Sequence, residues 1–278
     1  MFMQSRFPVR KSFLSLLTLS ALALTSFAAY PILAQDKPKS EPVVKVVEDT
    51  SEHTLKRVYA KGEVVNYKFN VKVNANIAQA GGQVDVKLTM LAKETAKEVK
   101  DDLTTVTNEF PEAQAELGGM EVDISSFLPI ITSTRTKEGA KEVKMEGGQE
   151  EAYSNLLPLM NALEQVQSAF YPQRAVKVGD TWKIVKETKD GDKVAKTDLT
   201  VTFAAVETID DIKTIKLTVK GDRTADKDKL TLDYSLNYDE KSGKLLTGKL
   251  KAEGTATGSP LKLDATVTQQ PVEKKADK

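Results

Sequence analysis

The chain contains no cysteine and a single histidine, His53, among its 278 residues. Without cysteine the fold has neither disulfides nor thiolate metal ligands, so its stability must come from a hydrophobic core. One imidazole cannot build a zinc or copper site from nitrogen and sulfur ligands. We therefore expect no metal site, and we expect His53, in the polar stretch 49–53, to be solvent-exposed or incidental.

Aromatic residues and reaction-specific motifs are also scarce. Phe, Trp and Tyr make up 6% of the chain, with one tryptophan, whereas sugar-binding sites are usually rich in aromatics. The sequence has no Gly-x-Ser-x-Gly elbow, no phosphate-binding glycine loop and no dinucleotide fingerprint. It therefore predicts a protein that is not an enzyme, without catalytic residues or cofactor. A hydrolase built on two carboxylates is the less favoured alternative.

Neither sign of charge dominates the sequence, which has 40 Lys and Arg against 40 Asp and Glu. Removal of the first 35 residues would leave 37 cations and 40 anions, a net charge of about −3. Lysines alternate with acids, and no basic stripe with stacking aromatics is present. We expect no nucleic-acid partner.

The N-terminal segment has the pattern of an export signal. Three cations, Arg6, Arg10 and Lys11, precede an uncharged run from Ser12 to Gln35. Ala34 provides the small residue that signal peptidase requires, and Ala28 offers a second site. We predict a signal peptide over 1–34 and a periplasmic or extracellular location. An uncleaved membrane anchor is the alternative, because the run is just long enough to cross a bilayer.

Composition divides the remaining chain into three parts. Residues 35–42 are short, charged and proline-containing, which predicts a linker. Residues 43–268 are long enough for a single β-rich domain, with a two-half organisation split near 140–172 as an alternative. Residues 269–278 combine a proline with mixed charges and predict a disordered tail.

Alternation of apolar and polar residues dominates the domain and predicts β-strands. The clearest example runs from Val65 to Ile77, and a glycine-containing reversal at 78–83 starts a return strand. A further strand is expected over 99–107. Six more alternating segments follow after Tyr171, centred on residues 182–184, 199–203, 215–219, 230–238, 246–252 and 261–267. This spacing predicts an antiparallel meander that forms a curved sheet or half-barrel, mainly β with a helical insert.

Two helices are expected in the middle of the chain. Pro111 to Leu117 has proline at its first position and glycines just past its end, which is typical of a short helix. About Gln149 to Phe170 places apolar residues every three or four positions and predicts the larger helical insert.

Four short acidic motifs have turn chemistry. Asp190-Gly191-Asp192 resembles part of a calcium loop, but the other ligands are missing, and a two-residue hairpin turn explains it better. Asp210-Asp211 fits a connection between strands. Gly62-Glu63 and Gly179-Asp180 each precede a strand, which is a faint sign of an internal repeat or a general preference of such turns.

Two resemblances follow from these patterns. The signal peptide, long curved strands, helical insert and the ending Tyr238 to Leu245 resemble the lipoprotein-carrier type of periplasmic half-barrel. The segment from Ala175 to Trp182 is similar to a short sequence motif that recurs in uncharacterised exported bacterial proteins of similar length. The first resemblance implies that acyl chains bind in the curve of the sheet, and neither implies a specific binding residue.

The sequence therefore favours an exported bacterial envelope protein without enzymatic activity that binds a lipid or other hydrophobic ligand in a curved β-sheet. The alternative is a structural or protein-interaction module of the envelope with a fully packed core. The expected partners are accordingly a hydrophobic ligand or an envelope protein, with membrane contact only through an uncleaved signal segment. An open apolar interior would favour the carrier, and a filled one the module.

Overall fold

A computed structural model describes residues 44–77, 82–117, 119–136, 139–147, 170–172, 174–190, 193–256 and 259–271. Within these ranges, antiparallel strands form one open, curved sheet that is not closed into a barrel. The predicted antiparallel curved sheet is confirmed. The strands are β1 (Val44–Val47), β2 (Val64–Ile77), β3 (Gly82–Lys100), β4 (Leu103–Leu117), β5 (Met120–Asp123), β6 (Ile130–Thr136), β7 (Gly139–Glu146), β8 (Thr181–Asp190), β9 (Lys193–Ile209), β10 (Ile212–Ala225), β11 (Asp228–Asp239), β12 (Leu245–Ala256) and β13 (Ser259–Gln270).

The sheet consists of two meanders joined at its centre. Its order is β1-β9-β10-β11-β12-β13-β2-β3-β4-β6-β7. The last strand of the C-terminal meander, β13, pairs with the first strand of the N-terminal meander, β2. On one side β1 and β8 pair with successive parts of β9, and on the other β6 and β5 pair with successive parts of β4. The two halves of the sequence therefore share one sheet.

The alternating segments of the sequence are the observed strands. β2 and β3 form the expected hairpin, with Ile77 opposite Gly82. The six segments after Tyr171 are β8 to β13, in the predicted antiparallel order. In β2 the side chains of Val65, Tyr67 and Phe69 are buried, and the residues between them are more exposed. Period-2 patterning was sufficient here because one face of the sheet is buried and the other is wet.

The predicted helix from Pro111 to Leu117 is wrong, because these residues belong to β4. Ala113 and Ala115 lie opposite Met90 and Leu88 of β3 and are buried with them. Pro111 lies where the pairing register of β3 and β4 shifts, and a proline is tolerated where the ladder is interrupted. Cross-strand burial of two small side chains therefore overrode the local helix signals.

The expected strand over 99–107 is also wrong in its boundaries. β3 ends at Lys100 and β4 begins at Leu103, so the chain reverses inside the predicted strand. Asp101 occupies the turn with φ +51°, a left-handed conformation that Asp adopts more readily than most residues. At the other end, β13 continues through Gln270, two residues into the expected tail.

The described residues contain one helical element, a single 3-10 turn from Ser125 to Phe127. The larger helix predicted over 149–170 lies outside the described residues except for Phe170, which is buried. The predicted signal peptide, the linker and residues 272–278 also lie outside them. None of the described segments is a helix long and apolar enough to cross a membrane.

The acidic turn at Asp210 and Asp211 is as expected. These residues connect β9 to β10, both with positive φ, which turn chemistry explains. β8 ends at Asp190, opposite Lys193 of β9, and Gly191 and Asp192 of the other expected turn lie outside the described residues.

The two glycine-acid pairs, which were the faint sign of an internal repeat, form turns with matching hydrogen bonds. The N–H of Gly62 donates to the carbonyl of Ala96, and the N–H of Gly179 donates to that of Phe203. The neighbouring carboxylates, Glu63 and Asp180, each accept a backbone N–H from the residue three positions earlier. Each also binds the arginine six positions earlier, at 3.0 Å for Arg57 and 3.2 Å for Arg174. The same glycine-acid turn therefore precedes a strand twice. Its second occurrence lies in the segment from Ala175 to Trp182.

Residues 48–63, which we call the crossing segment, run from the β1 edge across one end of the sheet to β2. Their backbone is fixed at both ends and in the middle. His53 pairs with Val176 through two backbone hydrogen bonds, and the N–H of Val58 donates to the carbonyl of Ser242. Leu55 is buried in the core beneath this segment. The segment therefore covers the strand ends of β3, β9, β10 and β11.

Gly243 should not tolerate a side chain, because it lies very close to the backbone of the crossing segment. It has φ +64°, and a Cβ there would lie 2.2 Å from the carbonyl oxygen of Lys56. We expect Gly243→Ala to reduce the free energy of unfolding by about 2–4 kcal/mol, because backbone strain and a backbone clash add. Gly62→Ala is the matched control, since Gly62 has φ +77° but no atom within 4 Å of its Cβ position. It should cost about 1–2 kcal/mol in urea denaturation. Equal losses for the two variants would contradict the close approach.

Candidate functional site

The inner face of the sheet, formed by the inward-pointing side chains of its strands, is the largest apolar surface of the described residues. These side chains form one continuous cluster that runs from β4 across to β8. The crossing segment lies at one end of the strands. We therefore divide the inner face into a near half at that end and a far half at the opposite end. The far half, away from the crossing segment, consists of Val71, Val73, Val86, Leu88, Ala115, Leu199, Val201, Val219, Leu232, Tyr234, Leu250, Leu263 and Ala265.

The near half of the inner face differs because charged and phenolic groups enter it. Glu94 lies opposite Val65 in the β2–β3 ladder, so it points inward with Ala92 and Met90. Its side chain is 4% exposed. A buried carboxylate requires partners, because burial without them strongly disfavours the charged form.

Two arginines from different parts of the chain supply those partners. Arg57 of the crossing segment lies 3.5 Å from Glu94 Oε1, and Arg135 of β6 lies 3.2 Å from Glu94 Oε2. Arg135 also donates to the Tyr59 hydroxyl at 2.7 Å, and the Arg57 guanidinium stacks 4.0 Å from the Tyr59 ring centroid. We call Arg57, Tyr59, Glu63, Glu94, Arg135 and Lys244 the Glu94 cluster.

Glu63 and Lys244 complete this cluster on its outer side. Lys244 lies 2.8 Å from Glu63 Oε1, and Arg57 lies 3.0 Å from the same oxygen. Burial alone would raise the pKa of Glu63, but hydrogen bonds from Lys244, from the Ala60 N–H and from Arg57 hold it below its ordinary value. The Glu94 cluster thus connects the crossing segment to β3, to β6 and to the turn before β12.

Buried phenols adjoin the Glu94 cluster. Burial is the main cause that raises the pKa of Tyr67 and Tyr171 well above the usual range, and Glu94 adds to it in both cases. Tyr171 donates to the Gly243 carbonyl at 3.0 Å and packs edge-on against Tyr238. These rings remain neutral hydrogen-bonding groups at physiological pH, so they add polarity to the near half without charge.

A second polar group surrounds His53, which we call the His53 cluster: Asp49, Ser51, His53, Lys213 and Glu240. The His53 side chain is only 6% exposed, so the expectation that it is solvent-exposed or incidental is wrong. Its Nδ1 lies 2.8 Å from Glu240 Oε1, and its Nε2 lies 3.1 Å from the Ser51 hydroxyl and 3.4 Å from Asp49 Oδ1. The imidazole also packs edge-on against Phe203.

Lys213 of β10 joins the two carboxylates of the His53 cluster. Its Nζ lies 2.9 Å from Asp49 Oδ2 and 3.0 Å from Glu240 Oε1. Hydrogen bonds from Ser51 and Lys213 lower the pKa of Asp49 far below its ordinary value, and hydrogen bonds to Asp49 and then Glu240 raise that of Lys213. Tertiary contacts bury His53, since the polar local sequence contains no apolar pattern that would do so.

Ser51, His53 and Glu240 superficially resemble a catalytic serine, base and acid. The serine hydroxyl, however, donates to Asp49, whose carboxylate also accepts the Ser51 N–H. An ionised carboxylate can only accept hydrogen bonds, so the hydroxyl proton points away from the imidazole. The geometry therefore lacks the hydrogen bond from nucleophile to base that acyl transfer requires.

A small cavity separates the two clusters. It has a volume of about 10 Å³, room for one water molecule. Leu55, Tyr171, Leu217 and Tyr238 supply its apolar lining, and Glu240 part of its polar rim. Among the described side chains, no group of three or more histidines and carboxylates is arranged to hold a metal ion.

Another buried carboxylate, Glu207, lies on the outer face of the sheet. Glu207 binds Lys216 and Asn237, each at 2.8 Å, and Thr214 donates to its backbone carbonyl at 3.0 Å. These partners join β9, β10 and β11, so this group has a structural role.

Sequence reasoning named His53 and the turn residue Glu63 but missed the other members of both clusters, although one signal was available. Glu94 falls on the inward parity of β3, after Leu88, Met90 and Ala92, where a charge is unexpected in an apolar stripe. Asp49 and Glu240 gave no such signal, because their partners are distant in sequence. In comparisons with known proteins, no protein-family model matches the chain and no similarity to a curated protein is found.

Glu94→Ala should be strongly destabilising. It leaves Arg57 and Arg135 without their shared carboxylate, and removing one partner of a buried ion pair costs about 3–5 kcal/mol. The matched control is Glu116→Ala, whose exposed ion pair with Lys87 should be worth at most about 1 kcal/mol. Urea denaturation of both variants measures the difference. Similar losses would mean that the Glu94 cluster does not fix the crossing segment.

Proposed function

We propose that this protein is an exported, non-enzymatic envelope protein that binds a hydrophobic ligand on the far half of its inner face. The observation that carries the proposal is the division of that face. The far half is a continuous apolar surface, and the charged side chains that share its face, Lys186 and Arg223, lie at its outer end opposite Thr197. A sheet with one apolar face needs a helix, another sheet or a ligand to cover it.

The positions of the polar groups support this division. The hydrogen bonds and ion pairs of the crossing segment described above reach the near half only, through Glu94, Lys213, Glu240, Ser242 and Lys244. They hold a cover over one end of the sheet and add no polar group to the far half. A mainly apolar surface, with the Tyr234 hydroxyl as the one hydrogen-bonding group among the far-half residues named above, selects a ligand by shape and hydrophobicity, as an acyl chain requires.

The open edges of the sheet support the proposal that a bound ligand can exchange. The lateral edges of the sheet are β1 and β8 on one side and β5 and β7 on the other, and β8 and β5 border the far half. Met120 and Val122 of β5 are exposed, and Val122 lies opposite the buried, inward-facing Ala115. The apolar surface therefore continues from the inner face to an exposed rim.

The second candidate is a structural or interaction module with a packed core. It is favoured by the low exposure of the inward side chains and by the water-sized cavity next to Tyr171 and Tyr238. A core filled by protein atoms alone would leave no room for an acyl chain.

The first test examines the protein as cells export it. The full chain is expressed with its own N-terminal segment, purified from the periplasm and sequenced from its N terminus, and its organic extract is analysed by mass spectrometry. We expect a mature N terminus at Gln35 and a stoichiometric lipid. An intact N terminus at Met1 would overturn export by a cleaved signal. Absence of both bound lipid and fluorescent fatty-acid uptake would overturn the carrier function.

A pair of neighbouring substitutions separates the two candidates. Ala265 is buried on the far half, whereas Thr266, the next residue, points to the outer face and is exposed. If an acyl chain occupies the space, Ala265→Trp should reduce fatty-acid uptake about tenfold or more with a loss of stability below about 1 kcal/mol. Thr266→Trp should leave both unchanged. In a packed core, Ala265→Trp would cost about 1–3 kcal/mol through overpacking, and the parent protein would take up no fatty acid.

A further inference from the structure

Strand β8 has one long side without a partner strand among the described residues. It pairs with β9 alone, and β1 pairs with a different part of β9. The N–H of Phe203 donates to the carbonyl of Asp180, so every second residue of β9, counted back from Phe203, directs its backbone groups to β8. Lys183, Val185 and Glu187 lie opposite the intervening residues, and their N–H and C=O groups therefore point away from β9. This side of β8 presents a row of backbone groups to which another strand can bind.

The equivalent side of another strand in the same protein is occupied. β2 starts with the same glycine-acid turn as β8 and with the same backbone hydrogen bonds to the strand that follows it. Val185, the fifth residue after the acid of its turn, corresponds to Lys68 of β2. Lys68 pairs with Thr268 of β13, in an antiparallel ladder that extends along most of β2. A strand that begins in this way therefore already accepts an antiparallel partner on that side within this chain.

The outward side chains of β8 combine an exposed valine with two charges. Val185 is 52% exposed, and the exposed Lys183 and Glu187 flank it. In the part of the chain that the structure describes, neither charge belongs to an ion pair. Elsewhere on the outer face such charges pair across adjacent strands, as Lys220 does with Asp233. A further strand beside β8 would supply the missing partners.

We propose that two copies of this protein associate through their β8 strands, which pair antiparallel around a two-fold axis at Val185. In this register Val185 lies opposite Val185 of the second copy, and Lys183 lies opposite Glu187 of the second copy. The two-fold symmetry forms the lysine–glutamate pair twice. Apolar pairs and pairs of opposite charge directly across a ladder both stabilise it.

Charge complementarity selects this register and this edge. The next registers, two residues away in either direction, lose both ion pairs and place Val185 opposite a charged residue. The registers beyond them place Lys183 or Glu187 opposite itself, and like charges in that position are destabilising. On the other edge of the sheet, the outward charges of β5 are Glu121 and Asp123, so pairing of β5 with itself would bring only acids together. A second copy therefore fits β8 and is disfavoured at β5.

The inward side of β8 determines what the association joins. Ile184 is buried, and β8 borders the far half of the inner face. In the proposed register Ile184 lies opposite Lys186 of the second copy, whose alkyl chain can cover it while the ammonium group stays in water. The far halves of the two copies then adjoin in one continuous sheet. The interface does not rest on the proposed function, because its formation is measured without ligand.

Charge reversal tests the register. The full chain, expressed with its own N-terminal segment and purified from the periplasm, should sediment as a dimer in analytical ultracentrifugation. Lys183→Glu and Glu187→Lys should each raise the dimer dissociation constant about tenfold or more, because like charges then face each other twice. An equimolar mixture of the two variants should dimerise again, since each pair across the interface is then opposite in charge. Lys249→Glu, which reverses an exposed lysine of β12, is the matched control and should leave the dissociation constant unchanged.

Three results of this experiment would overturn the interface. The first is a parent protein that remains monomeric at about 100 μM. The second is a dimer that tolerates both charge reversals, and the third is a mixture of the two variants that fails to dimerise.

The absence of native cysteine allows a direct test of proximity. Directly opposite residues of a hydrogen-bonded pair have Cα atoms about 5.5 Å apart, which is within the range of a disulfide. Val185→Cys should therefore form a disulfide-linked dimer on mild oxidation, measured by non-reducing gel electrophoresis. Val122→Cys, similarly exposed on β5, is the control and should remain monomeric. Equal crosslinking of the two variants, or no crosslinking of Val185→Cys, would contradict the pairing of β8 with β8.

Discussion

The alternation of apolar and polar residues places a physical constraint on the whole molecule, because most of the buried apolar side chains of the strands fall on one face of a single sheet. An apolar surface of this size in water costs free energy in proportion to its area. The chain has no disulfide that could compensate. Curvature brings the inward side chains into one cluster, and the crossing segment removes the strand ends from water. The remaining structural features serve this covering.

Two polar clusters fix the cover, and their composition explains why charges were used. Arg57 and Arg135 meet Glu94 from opposite sides, whereas Lys213 joins Asp49 to Glu240. Each cluster connects the crossing segment to strands that are far away in sequence. Directional ion pairs specify one position for a segment that has little apolar surface of its own, apart from Leu55. Buried ion pairs contribute little net stability. We therefore propose that they determine the position of the crossing segment on the sheet more than the free energy of unfolding.

The role of His53 depends on its surroundings in the folded protein. Because it is the only imidazole of a chain without cysteine, the composition predicts no metal site of nitrogen and sulfur ligands. Its burial between Glu240 and Ser51, however, gives it a structural role. The same geometry disfavours a catalytic serine, because the Ser51 hydroxyl already donates to Asp49. A constellation of residue types is therefore insufficient to infer catalysis when the direction of each hydrogen bond contradicts it.

Most of the sheet could be predicted from the sequence, because strand alternation is a local property. The strands from β8 to β13, the β2–β3 hairpin and the acidic turn at Asp210 and Asp211 all follow from residue order. Prediction failed where a distant partner decided the outcome. Ala113 and Ala115 are in a strand because Met90 and Leu88 lie opposite them, although proline and glycines around this stretch favour a helix.

The sequence by itself determined an antiparallel sheet with one apolar face, no cysteine chemistry and a nearly balanced charge. Tertiary structure decided that the two meanders join through β13 and β2, and that residues 48–63 cross the sheet. It also decided that His53 and Glu94 are buried. The physical reason is that alternation fixes which side of a strand is apolar, whereas the pairing of Glu94 with Arg135, 41 residues away, depends on the folded path of the chain.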